Sequence, residues 1–519
     1  MRKFIYIFLI GIVIFMSSCR KDFDTVPSSG NLQFSKNTVY LDTVFTDIGS
    51  STYTLKVYNR SNKDIAIPTI KLKKTNSKYR IMVDGMTGED KDGNGIGDGK
   101  LFNNVELLAK DSLYIFIETT ASITDANPTD FLYTDEIEFD TGSNLQKVNL
   151  VTLIQDAIFL YPQKYEDGTK ESLLLGVDED NLEIRINGFE LNENDPINGD
   201  EFHFTNEKPY VIYGYAGVPQ GKILKIDAGA RVYFHSESGL IIQPKAQLRI
   251  NGAVSPNPDK PQENEVIFEG DRLEPEFSDT PGQWGVVWLR DESTSFVNHL
   301  TLKNASLGFL MQKSDLRITN SQIYNSSNYG ILARTSTILG ENLVMNYAGQ
   351  ASLTCTIGGD YNFTHCTFNN NWNSSKQLAV YLSNFEKNED ESITVSNLDQ
   401  ATFNNCIIYG SNNVELFLDK VDSAIFNSSF ENCLIKFNDT GTGIAKNEIY
   451  NFIRNQEFGN IKNKDPKFYN INQNKLNIDE NSAAFQKGSA LYRIPTDILG
   501  ISRSSIPDIG AFQSAPFPK

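Results

Sequence analysis

One position keeps returning in the second half of the chain. His299, Asn320, Asn342, His365, Asn405 and Asn432 each stand three residues before an apolar side chain: Leu302, Ile323, Met345, Phe368, Ile408 and Ile435. The intervals between them are 21, 22, 23, 40 and 27 residues. A repeat of this length, made of short strands and polar turns, is too short for a propeller blade and lacks the consensus of a leucine-rich repeat. It fits a parallel β-helix, in which each coil lays its strands ~4.8 Å above those of the coil before and the hydrogen bonds run between coils. Parallel crossovers within one sheet are right-handed, so the coil should be too. "LGFLM" (307–311), "YGILA" (329–333) and "ASLTC" (351–355) supply a second recurring strand. The longest interval reads as one coil plus a protruding loop within "NSSKQLAVYLSNFEKNEDESITVSN".

The column has two consequences. Stacked Asn side chains can bond amide to carbonyl along the axis, so the six residues are predicted to form a structural ladder. The next position points inward and holds Cys366, Cys406 and Cys433. With Cys355 these make an even number, which invites a disulfide reading. Parallel Cβ vectors one strand apart are badly aimed for a disulfide, so the thiols are expected to be small hydrophobes in a narrow core.

The abundant aromatics, 22 Tyr and 33 Phe, favour strands, and no long stretch has a helical period. A net charge of −18 excludes nucleic acid as a partner. It also argues against a polyuronate ligand unless one local groove is basic. At the N-terminus, Arg2 and Lys3 precede the apolar run "FIYIFLIGIVIFM", which ends in Met16-Ser17-Ser18-Cys19. This resembles a bacterial lipoprotein signal, with residues 1–18 as signal peptide. The resemblance implies a lipid on Cys19, a membrane anchor, and a flexible tether over 19–31. Lys21-Asp22 followed by Asp24 resembles a signal for the outer membrane, exposed at the cell surface.

Residues 32–159 carry seven or more short alternating strands, such as "TYTLKVYN" (52–59), and read as an antiparallel β-sandwich. "LKVYNRSNKDIAIPTIKL" resembles Ig-like modules of bacterial surface proteins. In the loop "EDKDGNGIGDGK", Asp90, Asp92, Asn94 and Asp98 alternate as in a calcium loop, yet Leu101 stands where the closing acid belongs. The two readings are a solvated hairpin tip and a weak Ca2+ site; no other cofactor is expected.

Residues 160–205 read as an irregular acidic linker, and 206–515 as the β-helix with a C-terminal cap. "KILKIDAGARVYFHSESGLIIQPKAQLRINGAV" (222–254) resembles the opening coils of the pectin-lyase-like right-handed β-helix superfamily. The end resembles that superfamily's terminal segments through Asp465-Pro466-x-Phe468, Asp497-x-x-Gly500-x-x-Arg503 and Pro507-Asp508-Ile509-Gly510-Ala511-Phe512. The resemblance implies an all-β chain and a choice between polysaccharide lyase, glycoside hydrolase and non-catalytic surface protein.

Neither a Gly-His-Gly nor an adjacent Asp pair occurs in the coils. His299 and His365 belong to the column, and Asp271, Arg272, Glu274 and Glu276 read as a solvated loop, so no catalytic residue is assigned. Trp284 and Trp288, four apart on one strand, are predicted to share a face, and Trp372 sits where the long loop leaves the column. Such rings either stack on sugars or pack loops against the wall. The sequence points to a lipid-anchored recognition or adhesion platform for a glycan or other cell-surface ligand. The alternatives are a carbohydrate-active enzyme and a structural envelope component.

Overall fold

Residues 24–518, apart from positions 92, 179, 258, 440 and 442, are described by a computed structural model. The protein is all-β, with 47% of residues in strands against 6% in helices, and large parallel sheets. It divides into two units between Asp156 and Ala157.

The first unit holds two sheets. One, of four strands, orders Gln33–Phe34, Tyr53–Tyr58, Ser112–Thr119 and Tyr79–Val83, all antiparallel. The other has six strands, with Ile65–Leu72, Leu132–Phe139 and Gln146–Gln155 at its centre. Alternate side chains from both sheets share a core: Leu55, Val57, Ile115 and Ile117 from one, Ile67, Ile137 and Val148 from the other. This is the period-two pattern of strands buried on one face.

The second unit is built on two parallel sheets of eleven and seventeen strands. The chain visits them in turn. Leu300–Lys303 lies in the smaller sheet, Ala305–Gln312 and Asp315–Thr319 in the larger, and Gln322–Ser326 returns to the smaller. The sequence column is the register: Leu302 pairs with Ile323, then follow Met345, Phe368, Ile408 and Ile435. Phe309, Ile331 and Leu353 align likewise. The longest interval carries an antiparallel hairpin, Phe385–Lys387 with Ile393–Val395. Inside, Phe363, Phe403, Phe430 and Phe452 stack at centroid spacings of 5.0, 4.8 and 4.4 Å. Each such burial is worth about 2 kcal/mol. Cys355, Cys366, Cys406 and Cys433 are free and buried in the same core.

The column itself is explained by the backbone. All six residues have φ between 48° and 54°, the left-handed region that Asn and His tolerate better than bulkier side chains. The predicted ladder forms only in part. Asn342 donates to Asn320 at 2.8 Å and Asn405 contacts His365 at 3.0 Å. Asn320, however, donates to Asn298, and neither ring nitrogen of His299 has a partner. Asn432 lies against Gly459, where an added Cβ would come within 2.3 Å of its amide nitrogen.

Two boundaries also need correction. The sandwich unit ends at Asp156, before Ile158–Leu160, which pairs with Tyr210–Ile212 in the second unit, and within the supposed linker Phe189 aligns with Ala216. Its Leu160, Phe189, Leu191 and Phe202 enter the core, which a solvated linker would not do. The C-terminal segment is not simply a cap. Leu476, Ile478, Ile498, Ile509 and Phe512 pack onto Val344, Ile407 and Leu434. These three alternate with the inward Met345, Ile408 and Ile435, so the tail covers the outer face of the smaller sheet. The last strands are met by Tyr450 and Phe452, from the turn and short helix Asn451–Arg454.

The terminal motifs hold that tail down. Arg503 donates to Asn342 Oδ1 at 2.7 Å and to the carbonyls of Gly510 and Ala511 at 3.1 and 3.2 Å. Asp497 accepts the amides of Leu499, Ile501 and Gln513; Asp508 accepts those of Gln486 and Ser514. Asn405 exchanges bonds with the Ser489 backbone at 2.7 and 3.0 Å. Burial, then the nearby Arg503 charge, holds His365 well below the ordinary imidazole range. The neutral ring, with its tautomer assigned from the network, donates from Nδ1 to Gly510 and accepts at Nε2 from Asn405.

Candidate functional site

The larger sheet carries an outward row across successive repeats: Ile241, Trp288, Leu310, Leu332, Thr354, Tyr381 and Phe417. The residues on either side of each, such as Val287 and Leu289, face the core. Trp288, Leu310, Tyr381 and Phe417 are half-buried. The Tyr381 and Phe417 rings stack almost parallel, 4° apart at 6.0 Å.

Polar groups flank the row. Trp288 donates from Nε1 to Gln312 at 3.0 Å, with the Arg290 guanidinium 5.4 Å from its ring centre. Arg290 also bonds Gln243 at 2.7 Å and the Leu175 carbonyl. Glu386, on the protruding hairpin, takes two bonds from Arg334 at 2.9 and 2.7 Å and one from Thr356 at 3.1 Å. The hairpin is thereby pinned beside the row. Tyr381 donates to Asp419 at 3.3 Å, and burial raises its hydroxyl to about 12, so it stays a donor. Ile241, Leu332 and Thr354 are buried. The partly exposed members fall in two pairs of successive repeats, Trp288 with Leu310 and Tyr381 with Phe417, each ~4.8 Å apart, a spacing that suits a ligand that itself repeats.

The structure separates the three tryptophans. Trp284 is in the core, stacked on Phe234 at 4.2 Å, with its Nε1 bonded to the Lys303 carbonyl at 2.9 Å. It does not share a face with Trp288, because the alternation slips where the register shifts between Val286 and Val287. Trp372 is half-buried and lies 3.5 Å from where a Cβ on Gly349 would stand, packed against the wall.

In the first unit, the oxygens of the candidate calcium loop serve the loop itself. Asp90 accepts the amides of Gly93, Asn94 and Gly95, Asn94 that of Ile96, and Asp98 that of Lys91. Asp92 lies outside the described residues, as does Cys19. Among the described residues no group of three His, Cys, Asp or Glu is placed to hold a metal, and no helix is long and apolar enough to cross a membrane. The loop's Ile96–Gly99 borders a cavity of about 490 Å³ together with Met82, Phe116 and Glu118. A bond from Thr52, then Arg80, holds the Glu118 carboxyl below its usual range.

The charged cluster at 271–276 is not merely solvated. Asp271 is largely buried and bonds His235 Nδ1 at 2.7 Å, while Tyr213 packs its ring on the same imidazole at 4.4 Å. Burial raises the Asp271 carboxyl despite that bond. These three residues follow aligned strands of consecutive repeats, Tyr210–Ile212, Arg231–Phe234 and Val266–Gly270. The alignment that exposes the pairing needs the upstream register, which has no Asn column to mark it. Glu415, between Ile407–Gly410 and Leu416–Asp419, is buried and pushed up to about 8 by that burial.

No family model matches the sequence, and no curated protein matches it. Among solved structures, a family 123 glycoside hydrolase from Clostridium perfringens, studied for glycolipid glycan hydrolysis, is similar over 24% of this chain and 27% of its own, at 8% identity and a TM-score of 0.17. The periplasmic chaperone SfaE is similar over 27% of this chain and 69% of its own, at 12% identity and a TM-score of 0.16. Likenesses this slight carry no argument about function.

Proposed function

We propose that the chain is an Ig-like sandwich followed by a right-handed parallel β-helix of the pectin-lyase-like kind. We read it as a glycan-recognition platform, lipid-anchored through Cys19 at the cell surface. The in-register column and the parallel pairing support the fold reading. The recognition reading rests on the partly exposed side chains of the outward row, Trp288, Leu310, Tyr381 and Phe417, bordered by Gln312, Arg290 and Asp419. Apolar and aromatic faces with polar neighbours are what a sugar chain uses, its C–H faces against rings and its hydroxyls against amides and carboxylates.

Affinity electrophoresis through a panel of plant, algal and microbial polysaccharides tests it. At least one polymer should retard the wild type, and Trp288→Ala should abolish that retardation. Retardation unchanged by Trp288→Ala moves the site elsewhere, and retardation by no polymer removes the reading. Anchoring has its own test: the Cys19→Ala protein should lose labelled lipid and be released from membranes.

A carbohydrate-active enzyme is the second reading, favoured by the His235–Asp271 pair with the imidazole half-exposed. A buried carboxylate that fixes one ring nitrogen leaves the other to move a proton. Release of unsaturated or reducing ends by wild type but not by His235→Ala would support it. If neither binding nor product is found, a structural envelope component remains.

A further inference from the structure

A second cavity, of about 430 Å³, opens beside the first strands of the second unit, within the segment that the sequence alone marks as linker. Its volume is in the range of small-molecule sites. Tyr161, half-exposed, and Phe159 line one part of it. Asn192 and Asn198 line another, and they are held in place by Glu201, itself only 7% exposed. Glu201 accepts from Asn198 Nδ2 at 3.0 Å and from the Asn192 backbone at 2.9 Å. Such a buried carboxylate fixes the Asn198 amide and the backbone at Asn192 rather than decorating a surface. Three lining groups have no protein partner among the described residues: the Tyr161 hydroxyl, the Lys164 ammonium and the Glu190 carboxylate.

An aromatic face beside unpaired donors and acceptors suits a ring that has both an apolar face and several hydroxyls. The charge of the lining narrows the choice. Four carboxyl side chains, of Glu171, Glu190, Asp195 and Glu201, line the cavity against the one ammonium of Lys164, so a carboxylate or phosphate on the ligand would be repelled. We propose that this cavity binds a single non-acidic sugar unit, neutral or amino, at the end of a glycan. The proposal deepens the recognition reading and rests on it for the ligand class. It uses residues distinct from the row that includes Trp288.

Saturation-transfer NMR on the purified full chain tests it, with glucose, N-acetylglucosamine, glucosamine and glucuronate each at ~10 mM, a concentration suited to millimolar affinity. At least one of the first three sugars should receive magnetisation, and glucuronate none. Tyr161→Ala and Glu190→Gln, both at exposed positions, should each weaken the signal roughly tenfold while leaving the circular dichroism unchanged. Absence of transfer to all three, equal transfer to glucuronate, or indifference to both substitutions would overturn the proposal. The two readings fail separately. Trp288→Ala should spare the sugar signal, whereas a chain that retains polymer but gives no sugar signal loses the end cavity alone.

Discussion

The two sheets of the second unit both carry apolar side chains on their outer faces, and the chain treats them differently. Over Val344, Ile407 and Leu434 it lays its own C-terminal segment, sealed by Arg503 and the two buried aspartates. Over Trp288, Leu310, Tyr381 and Phe417 no comparable tail is laid among the described residues, and polar groups border the row instead. Apolar surface that a protein needs only for stability is normally covered; side chains left partly exposed, as these four are on either side of the buried Leu332 and Thr354, mark a contact surface. The comparison therefore separates an internal seam from a surface open to a partner.

The sharpest way to break it is to place the same charge on both faces. Ile407→Asp, beneath the tail, should cost about 4 kcal/mol, because the carboxylate would be buried without a partner. Leu310→Asp should cost under about 1 kcal/mol while abolishing polymer binding. Urea unfolding measures both, and equal losses would erase the distinction between the faces. Next in size, Arg503→Ala leaves the buried Asn342 oxygen without its donor and takes one of two donors from each of the Gly510 and Ala511 carbonyls. A loss of about 3 kcal/mol is expected. Limited proteolysis should then cut within the segment after Asp465, while the strands upstream stay protected.

Glu415 tests the corner between the two sheets through pH. Its folded-state value of about 8 lies above its ordinary 4.5, because burial outweighs the Asn412 amide and the Lys436 charge. The folded protein therefore binds the proton more tightly. The resulting stabilisation is complete below pH 4.5 and is lost as pH rises through about 8. Wild type should lose more stability than Glu415→Gln between about pH 5 and about pH 9. Parallel curves would show that Glu415 is ionised in its site. A small effect on stability, comparable to that of Leu310→Asp, is expected from Trp288→Ala: about 1 kcal/mol for a partly exposed ring. Like Leu310→Asp it should abolish binding, and that dissociation is the signature of a surface kept for a ligand.

Several features were legible in the chain because they are local. The spacing of Asn405 from Ile408 and of Asn432 from Ile435 states which residues align, since a strand slipped by one residue would turn its apolar side chains outward. The free thiols follow from the same alignment. By contrast, the direction of Trp284 depends on a slip of register within its own strand, and a period-two rule reads straight through such a slip. The strands between 157 and 205 escaped notice because they are short and separated by acidic turns. The pairing of His235 with Asp271 crosses 36 residues without a repeated motif to announce it.

The sequence by itself determined the all-β composition, the recurring register of the second half and the left-handed turn that each repeat requires. All three depend on neighbours along the chain. Which outward row would be covered was decided only in three dimensions. Arg503 meets Asn342 across 161 residues, and Gly510 fits between Ile407 and Thr367 because a Cβ there would lie 2.7 Å from one and 2.8 Å from the other. A spacing rule records how a strand stacks on the next. It holds no information about a distant segment returning to lie across the stack, since that choice depends on which buried polar groups can be satisfied once the sheets exist.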